Sequence, residues 1–132
     1  MITRFQAETE IQKLIALLND SDDDVRCATI VALGDLGAKE AIKPLIALLK
    51  DKNWVARRSA VQALGQLGAK EAIPYLIALI NDSDRNVRYA TIVALGDLVA
   101  KEAIKPLIAL LKDKNWVVRR SAMQALVQLE GQ

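Results

Sequence analysis

The chain repeats itself every 31 residues, and no other feature excludes so many folds. Ile11, Leu14, Ile15, Ala16, Leu17, Asp20, Arg26, Ala32, Leu33 and Leu36 recur unchanged at each 31-residue step through the blocks 9–39, 40–70, 71–101 and 102–132. At an offset of 62 the likeness is closer. The first and third blocks share 22 of 31 residues and the second and fourth share 25 of 31, so the unit was copied as a pair. A repeat of this length is one supersecondary unit that cannot bury its apolar face alone and must stack on its neighbours.

Each block reads as two helices. In residues 40–50, Ile42, Leu45, Ile46, Leu48 and Leu49 fall at helical spacing, and Pro44 sits in the first turn, where a missing N–H is tolerated. Asp51-Lys52-Asn53 breaks the pattern, and Asn53 is placed to cap a second helix whose apolar residues are Ala56, Ala60, Val61, Ala63, Leu64 and Leu67. Gly68 then stops that helix. These are helix A and helix B of the unit, and the short turns between them require an antiparallel pair. Ala, Leu, Ile and Val dominate the apolar residues, with only 4% aromatics, a mixture suited to closely packed helices. The expectation is an all-α solenoid, a superhelix of four 31-residue helical hairpins, forming one domain over 1–132 with residues 1–8 as an N-terminal extension. Gly34, Gly65 and Gly96 lie inside helix B, where glycine is unfavourable. The last block carries Val127 there, which implies that the glycines give clearance to a following block.

Eighteen Lys and Arg against sixteen Asp and Glu leave a net charge of +2, too little for a general affinity for nucleic acid or acidic membrane. Cys27 is the only cysteine, which points to a reducing, cytoplasmic setting. The opening MITRFQAETE has no apolar signal region, and no apolar run approaches the roughly 18 residues of a membrane span. Asn19 and Asn81 each begin an Asn-x-Ser triplet, but both lie in turns that favour Asn and Asp in any case.

The run Asp-x-Asp/Asn-x-x-Val-Arg-x-x-Ala-x-x-Ala-Leu-Gly-x-Leu-Gly followed by Ala-Ile-x-Pro-Leu-Ile-x-Leu-Leu, legible from Asp20 to Leu49 and from Asp82 to Leu111, resembles the short HEAT-like repeats of the phycobilisome-lyase type. The resemblance extends over residues 9–132. Ala56 departs from the usual Val, and Val99 and Glu130 replace the closing Gly. It implies a HEAT-like, armadillo-type right-handed superhelix, with helix A on the convex side and helix B on the concave side. Such repeats occur in lyase subunits for bilin pigments, in scaffolds and in artificial binding proteins. Carried over by position, it turns residues 23, 24, 27, 28, 31 and 35 and their equivalents inward.

Aromatic and Arg side chains are the usual anchors of protein interfaces, which makes Trp54, Arg58, Tyr89, Val93, Trp116 and Arg120 the candidate partner-binding residues on that face. The competing reading is that the tryptophans merely cover the preceding hairpin. The recurring Asp20, Asp51, Asp82 and Asp113 with Arg26, Arg57, Arg88 and Arg119 read as a structural ladder, each Asp accepting from turn N–H groups and from an Arg of its own or the adjacent repeat. Asp20, Asp22 and Asp24 mimic the start of a calcium loop, but Val25 stands where that loop needs Gly and Val31 where it needs Glu, so no metal is expected. The chain has no His, so Cys27 has no His partner, and no phosphate-cradling loop is present. The expected role is a non-catalytic scaffold for a protein or peptide, without cofactor and without membrane. A bilin-lyase-type subunit or pigment chaperone is the alternative. Nucleic-acid binding through Arg57, Arg58, Arg119, Arg120 and nearby lysines is disfavoured by the acidic turns. Met123 and Val127 end the stack without a polar cap, which predicts a homodimer through the C-terminal repeat, with Ile2 and Phe5 covering the other end.

Overall fold

The structure is a computed structural model, describing residues 3–131. The described residues contain eight α-helices and no strand: α1 (Arg4–Leu17), α2 (Asp23–Asp35), α3 (Ile42–Ala47), α4 (Trp54–Gln66), α5 (Ile73–Ala78), α6 (Arg85–Asp97), α7 (Ile104–Ala109) and α8 (Trp116–Glu130). Helices α2, α4, α6 and α8 are the B helices of successive blocks. Each begins at a polar cap: Asp22, Asn53, Asp84 and Asn115 accept from the second and third N–H groups beyond them, which would otherwise have no acceptor.

The A helices are less regular than the repeat suggests. Helices α3, α5 and α7 are six residues long, and each lies between two short 3-10 turns, as Lys39–Ala41 and Leu48–Lys50 flank α3. Proline is the cause at the leading end. Pro44, Pro74 and Pro106 have no N–H to give, so the turn before them closes by i→i+3 bonds, such as Ala41 N–H to Ala38 C=O. The first block has Gln12 and Lys13 instead, and α1 runs unbroken for 14 residues.

Stacking follows chain order. Helix α2 packs on α4, α4 on α6 and α6 on α8, and each also rests on its own A helix. The side chains of Leu33, Leu64 and Leu95 are wholly inside, in one apolar cluster with Leu45, Leu76 and Leu107. Close approach explains the mid-helix glycines. A Cβ on Gly34 would lie 2.8 Å from Gln66 Oε1 and 3.1 Å from Ala63 Cβ, and one on Gly65 would lie 3.3 Å from Ala94 Cβ. All three neighbours belong to the next B helix. In the first block, Ile11, Leu14 and Ile15 are only half-buried, and α1 packs on α2.

Phe5 departs from expectation: it is 78% exposed and covers nothing. It lies on the first turn of α1, where residues 4–10 are all exposed. Ile2 lies outside the described residues.

One backbone position is strained. Gly37 and Gly68 close their helices at φ +66°, and the equivalent Val99 is held at φ +53°. A β-branched residue there carries a steric penalty of roughly 1–2 kcal/mol, while glycine adds freedom to the unfolded chain. Val99 is half-exposed, so little burial is lost on its removal. Val99→Gly is expected to stabilise the chain by about 0.5–1 kcal/mol in urea unfolding. A destabilised variant would show that the Val99 side chain contributes more packing than its exposure suggests.

Candidate functional site

The turns between A and B helices are built from a two-residue code. Asp20, Asp51, Asp82 and Asp113 each accept from the N–H two residues on, at 2.9–3.0 Å, which fixes the cap residue of the following B helix. The arginine six residues after each Asp donates Nη1 to that same Asp's backbone carbonyl, at 2.7–3.0 Å. Its other two nitrogens reach forward. Arg26 donates Nε and Nη2 to Asp51, Arg57 to Asp82 and Arg88 to Asp113, all at 2.9–3.1 Å and nearly buried. Each guanidinium therefore ties its own turn to the carboxylate of the next block by a bidentate bond. Among the described residues the series is open at both ends: no Arg reaches the Asp20 carboxylate, and Arg119, exposed, donates only to its own turn.

The pairing shows in the titration of its members. The Arg26 guanidinium is held charged more strongly than usual by hydrogen bonds to Asp51 and then to Asp23. Burial pushes Asp51 up, but the bonds from Arg26 and the Asn53 N–H outweigh it and leave the carboxyl below its ordinary value. Burial likewise raises Asp113, and the Asn115 N–H and Arg88 bring it lower. Arg57, offered at first as a nucleic-acid contact, is occupied by Asp82. The calcium-like run is occupied as well, since Asp20 and Asp22 accept from backbone N–H groups. Burial raises the Cys27 thiol, which favours the uncharged form.

The B helices present a different surface beyond this ladder. On α4, Trp54 is 36% exposed and the Arg58 guanidinium carbon lies 5.2 Å from its ring centre. Between α6 and α8, a groove of about 470 Å³ is lined by Arg85, Asn86, Tyr89, Asn115, Trp116, Val117 and Val118. Tyr89 also enters a groove of about 430 Å³ between α4 and α6, with Gln62, Gln66, Val93 and Asp97. Trp116, 61% exposed, shares a third hollow with Arg120, Met123 and Gln124 at the end of the stack. Thus Tyr89, Val93, Trp116 and Arg120 border hollows that share Tyr89 or Trp116 in their linings, whereas Trp54 and Arg58 pair with each other and line none of these three. Arg85 was not among the residues singled out, although its position, 31 residues after Trp54 and 31 before Trp116, marked it. On α8, Val127 is 69% exposed, where the equivalent Gly34 and Gly65 of α2 and α4 face the next B helix.

This arrangement offers rings, guanidiniums and amides around shallow apolar hollows, the chemistry of contact with another molecule.

Similarity to known proteins agrees with the architecture. In a complex of CpcE and CpcF of phycocyanin lyase from Nostoc sp. PCC7120, one chain superposes with a TM-score of 0.84 at 27% identity, over 95% of this chain and 54% of that one. Human deoxyhypusine hydroxylase in complex with glycerol matches at 0.77 and 29%, over 92% of this chain and 44% of that one. The chain therefore spans about half the length of either. A designed armadillo repeat protein shares the fold at 23% identity, with a TM-score of 0.65 over 92% of this chain and 68% of that one. No curated protein matches the sequence significantly. The family model for HEAT repeats matches residues 11–85 and 73–132, so nearly the whole length is accounted for, and the chain belongs to the HEAT-repeat family.

Proposed function

We propose that this chain is a non-catalytic interaction scaffold, acting as one domain over 1–132, that holds a protein or peptide segment on its helix B face. The observation that carries this reading is the row of hollows around Tyr89 and Trp116, with exposed rings and Arg120 beside them. HEAT-family membership supports the same role. The exposed Met123 and Val127 support self-association through the last repeat as part of it. Among the described residues no helix is long and apolar enough to cross a membrane, and with a single cysteine we place the scaffold in the cytoplasm.

The double substitution Trp54→Ala, Trp116→Ala is expected to weaken partner binding by tenfold or more, about 1.4 kcal/mol or above, with an unchanged far-ultraviolet circular dichroism spectrum. Undiminished binding with an intact helical spectrum would remove the site. A bilin-lyase-type subunit or pigment chaperone is the second reading, favoured by the likeness to a chain of the CpcE and CpcF complex. It expects a shifted bilin absorption spectrum on mixing, and an unaltered spectrum rejects it.

A further inference from the structure

Two rows on the helix B face alternate cation and ring. At equivalent positions of α4, α6 and α8 the first row reads Trp54, Arg85, Trp116, and the second, one helical turn on, reads Arg58, Tyr89, Arg120. Because α4 packs on α6 and α6 on α8, the rows form a chequerboard across three helices. Its guanidiniums differ from those of the ladder beneath. Arg26, Arg57 and Arg88 each have an Asp, whereas Arg58, Arg85 and Arg120 make no ion pair or hydrogen bond among the described residues, and the Nε of Arg58 is buried without an acceptor. Three cations held among aromatic rings lack counter-charges that a ligand can supply.

We infer that this chequerboard takes an acidic peptide segment, its carboxylates pairing with Arg58, Arg85 and Arg120 and an apolar side chain of it entering the groove between Tyr89 and Trp116. The inference rests on the helix B face being the binding surface and adds the chemistry of the occupant. Charge complementarity selects a peptide over a nucleic acid. The cationic zone is three helices wide and bounded by carboxylates, with Asp24 at the head of α2 and Asp97 in the adjoining groove. A phosphate chain running along the face meets these acids; two or three spaced carboxylates do not. Gln62 and Gln124, amides without a partner among the described residues, flank Val93 at equivalent positions and offer donors and acceptors to a peptide backbone.

A random peptide library selected on the intact protein tests this, with binding read by the fluorescence anisotropy of a dye carried on the peptide, a readout that does not depend on Trp54 and Trp116, the only tryptophans. Selected peptides should carry net negative charge and an aromatic or aliphatic residue. They should bind about tenfold more weakly when Asp and Glu are replaced by Asn and Gln, lose about as much on the Arg85→Gln, Arg120→Gln variant, and weaken as sodium chloride is raised. Arg85 and Arg120 are exposed, and circular dichroism checks that the variant is folded. Neutral or basic peptides that still require Trp54 and Trp116 overturn the acidic chemistry while the face stands. Peptides indifferent to Trp54→Ala, Trp116→Ala, or no selected peptide at all, remove the face and the inference together. Tighter binding of oligouridylate than of the best acidic peptide replaces the peptide by a single-stranded nucleic acid. Self-association in sedimentation abolished by Arg85→Gln, Arg120→Gln replaces it by a second copy of this chain.

Discussion

Leu64→Ala is expected to lower the free energy of unfolding by about 4 kcal/mol, seen as a lower urea midpoint with an unchanged denaturant slope. Leu64 is 0% exposed on α4, which is packed on α2 on one side and on α6 on the other. Three carbons are removed, about 2.4 kcal/mol of transfer free energy at roughly 0.8 kcal/mol each, and the cavity between rigid helices adds the remainder. Leu126 is the same residue at the same repeat position, but α8 has a B-helix neighbour only in α6. Its truncation is expected to cost about 2 kcal/mol, since an open side lets the site relax and water enter. Equal losses at the two positions would contradict the view that burial comes from neighbours in the stack, because that view ties the difference to one missing helix.

Arg88→Met is expected to destabilise the chain by about 3 kcal/mol. The side chain of Arg88 is nearly buried, donates twice to Asp113 and also satisfies the carbonyls of Asp82 and Ser83. Methionine fills similar volume but leaves a buried carboxylate without its cation and two carbonyls without a donor. Adding Asp113→Asn should recover part of the loss, since the stranded charge is its largest component. Arg119→Met at the open end is the control: with one hydrogen bond and no carboxylate, a change below about 0.5–1 kcal/mol is expected. Unfolding monitored by circular dichroism in urea reads all three variants. A loss at Arg119 as large as that at Arg88 would mean that the inter-block bond is not what holds the turn.

The local chemistry of this fold was plain from residue types because it acts over two to four positions. Asn53 caps its helix as placed, Asn115 does the same two blocks on, and the recurring Asp two residues earlier accepts the cap residue's N–H. The Thr3 and Gln6 capping box was equally local and was overlooked, since it lies outside the repeating blocks. The 3-10 turn that leads each of α3, α5 and α7 is also traceable to proline, but only once the hydrogen bonds that replace the lost one are known. The Arg partners were not legible. Each Arg has an Asp six residues before it, and Arg26, Arg57 and Arg88 have another 25 residues after, so both separations recur with the repeat. The structure assigns the side chain to the later Asp and the earlier backbone carbonyl to Nη1, because the fork points along the stack axis toward the next turn.

Trp54 and Trp116 show where local reading ends. Residues 51–55 and 113–117 are identical, Asp-Lys-Asn-Trp-Val in both, yet one indole is 36% exposed and the other 61%. Periodicity, caps and stop signals by themselves determined that helices form, where they begin and which stripe of each is apolar, for these depend on contacts within one or two turns of chain. Tertiary structure alone decided which repeated residues are covered and which Asp each Arg holds. It also decided which rings meet in a groove, because these depend on whether another block lies alongside and how it is turned.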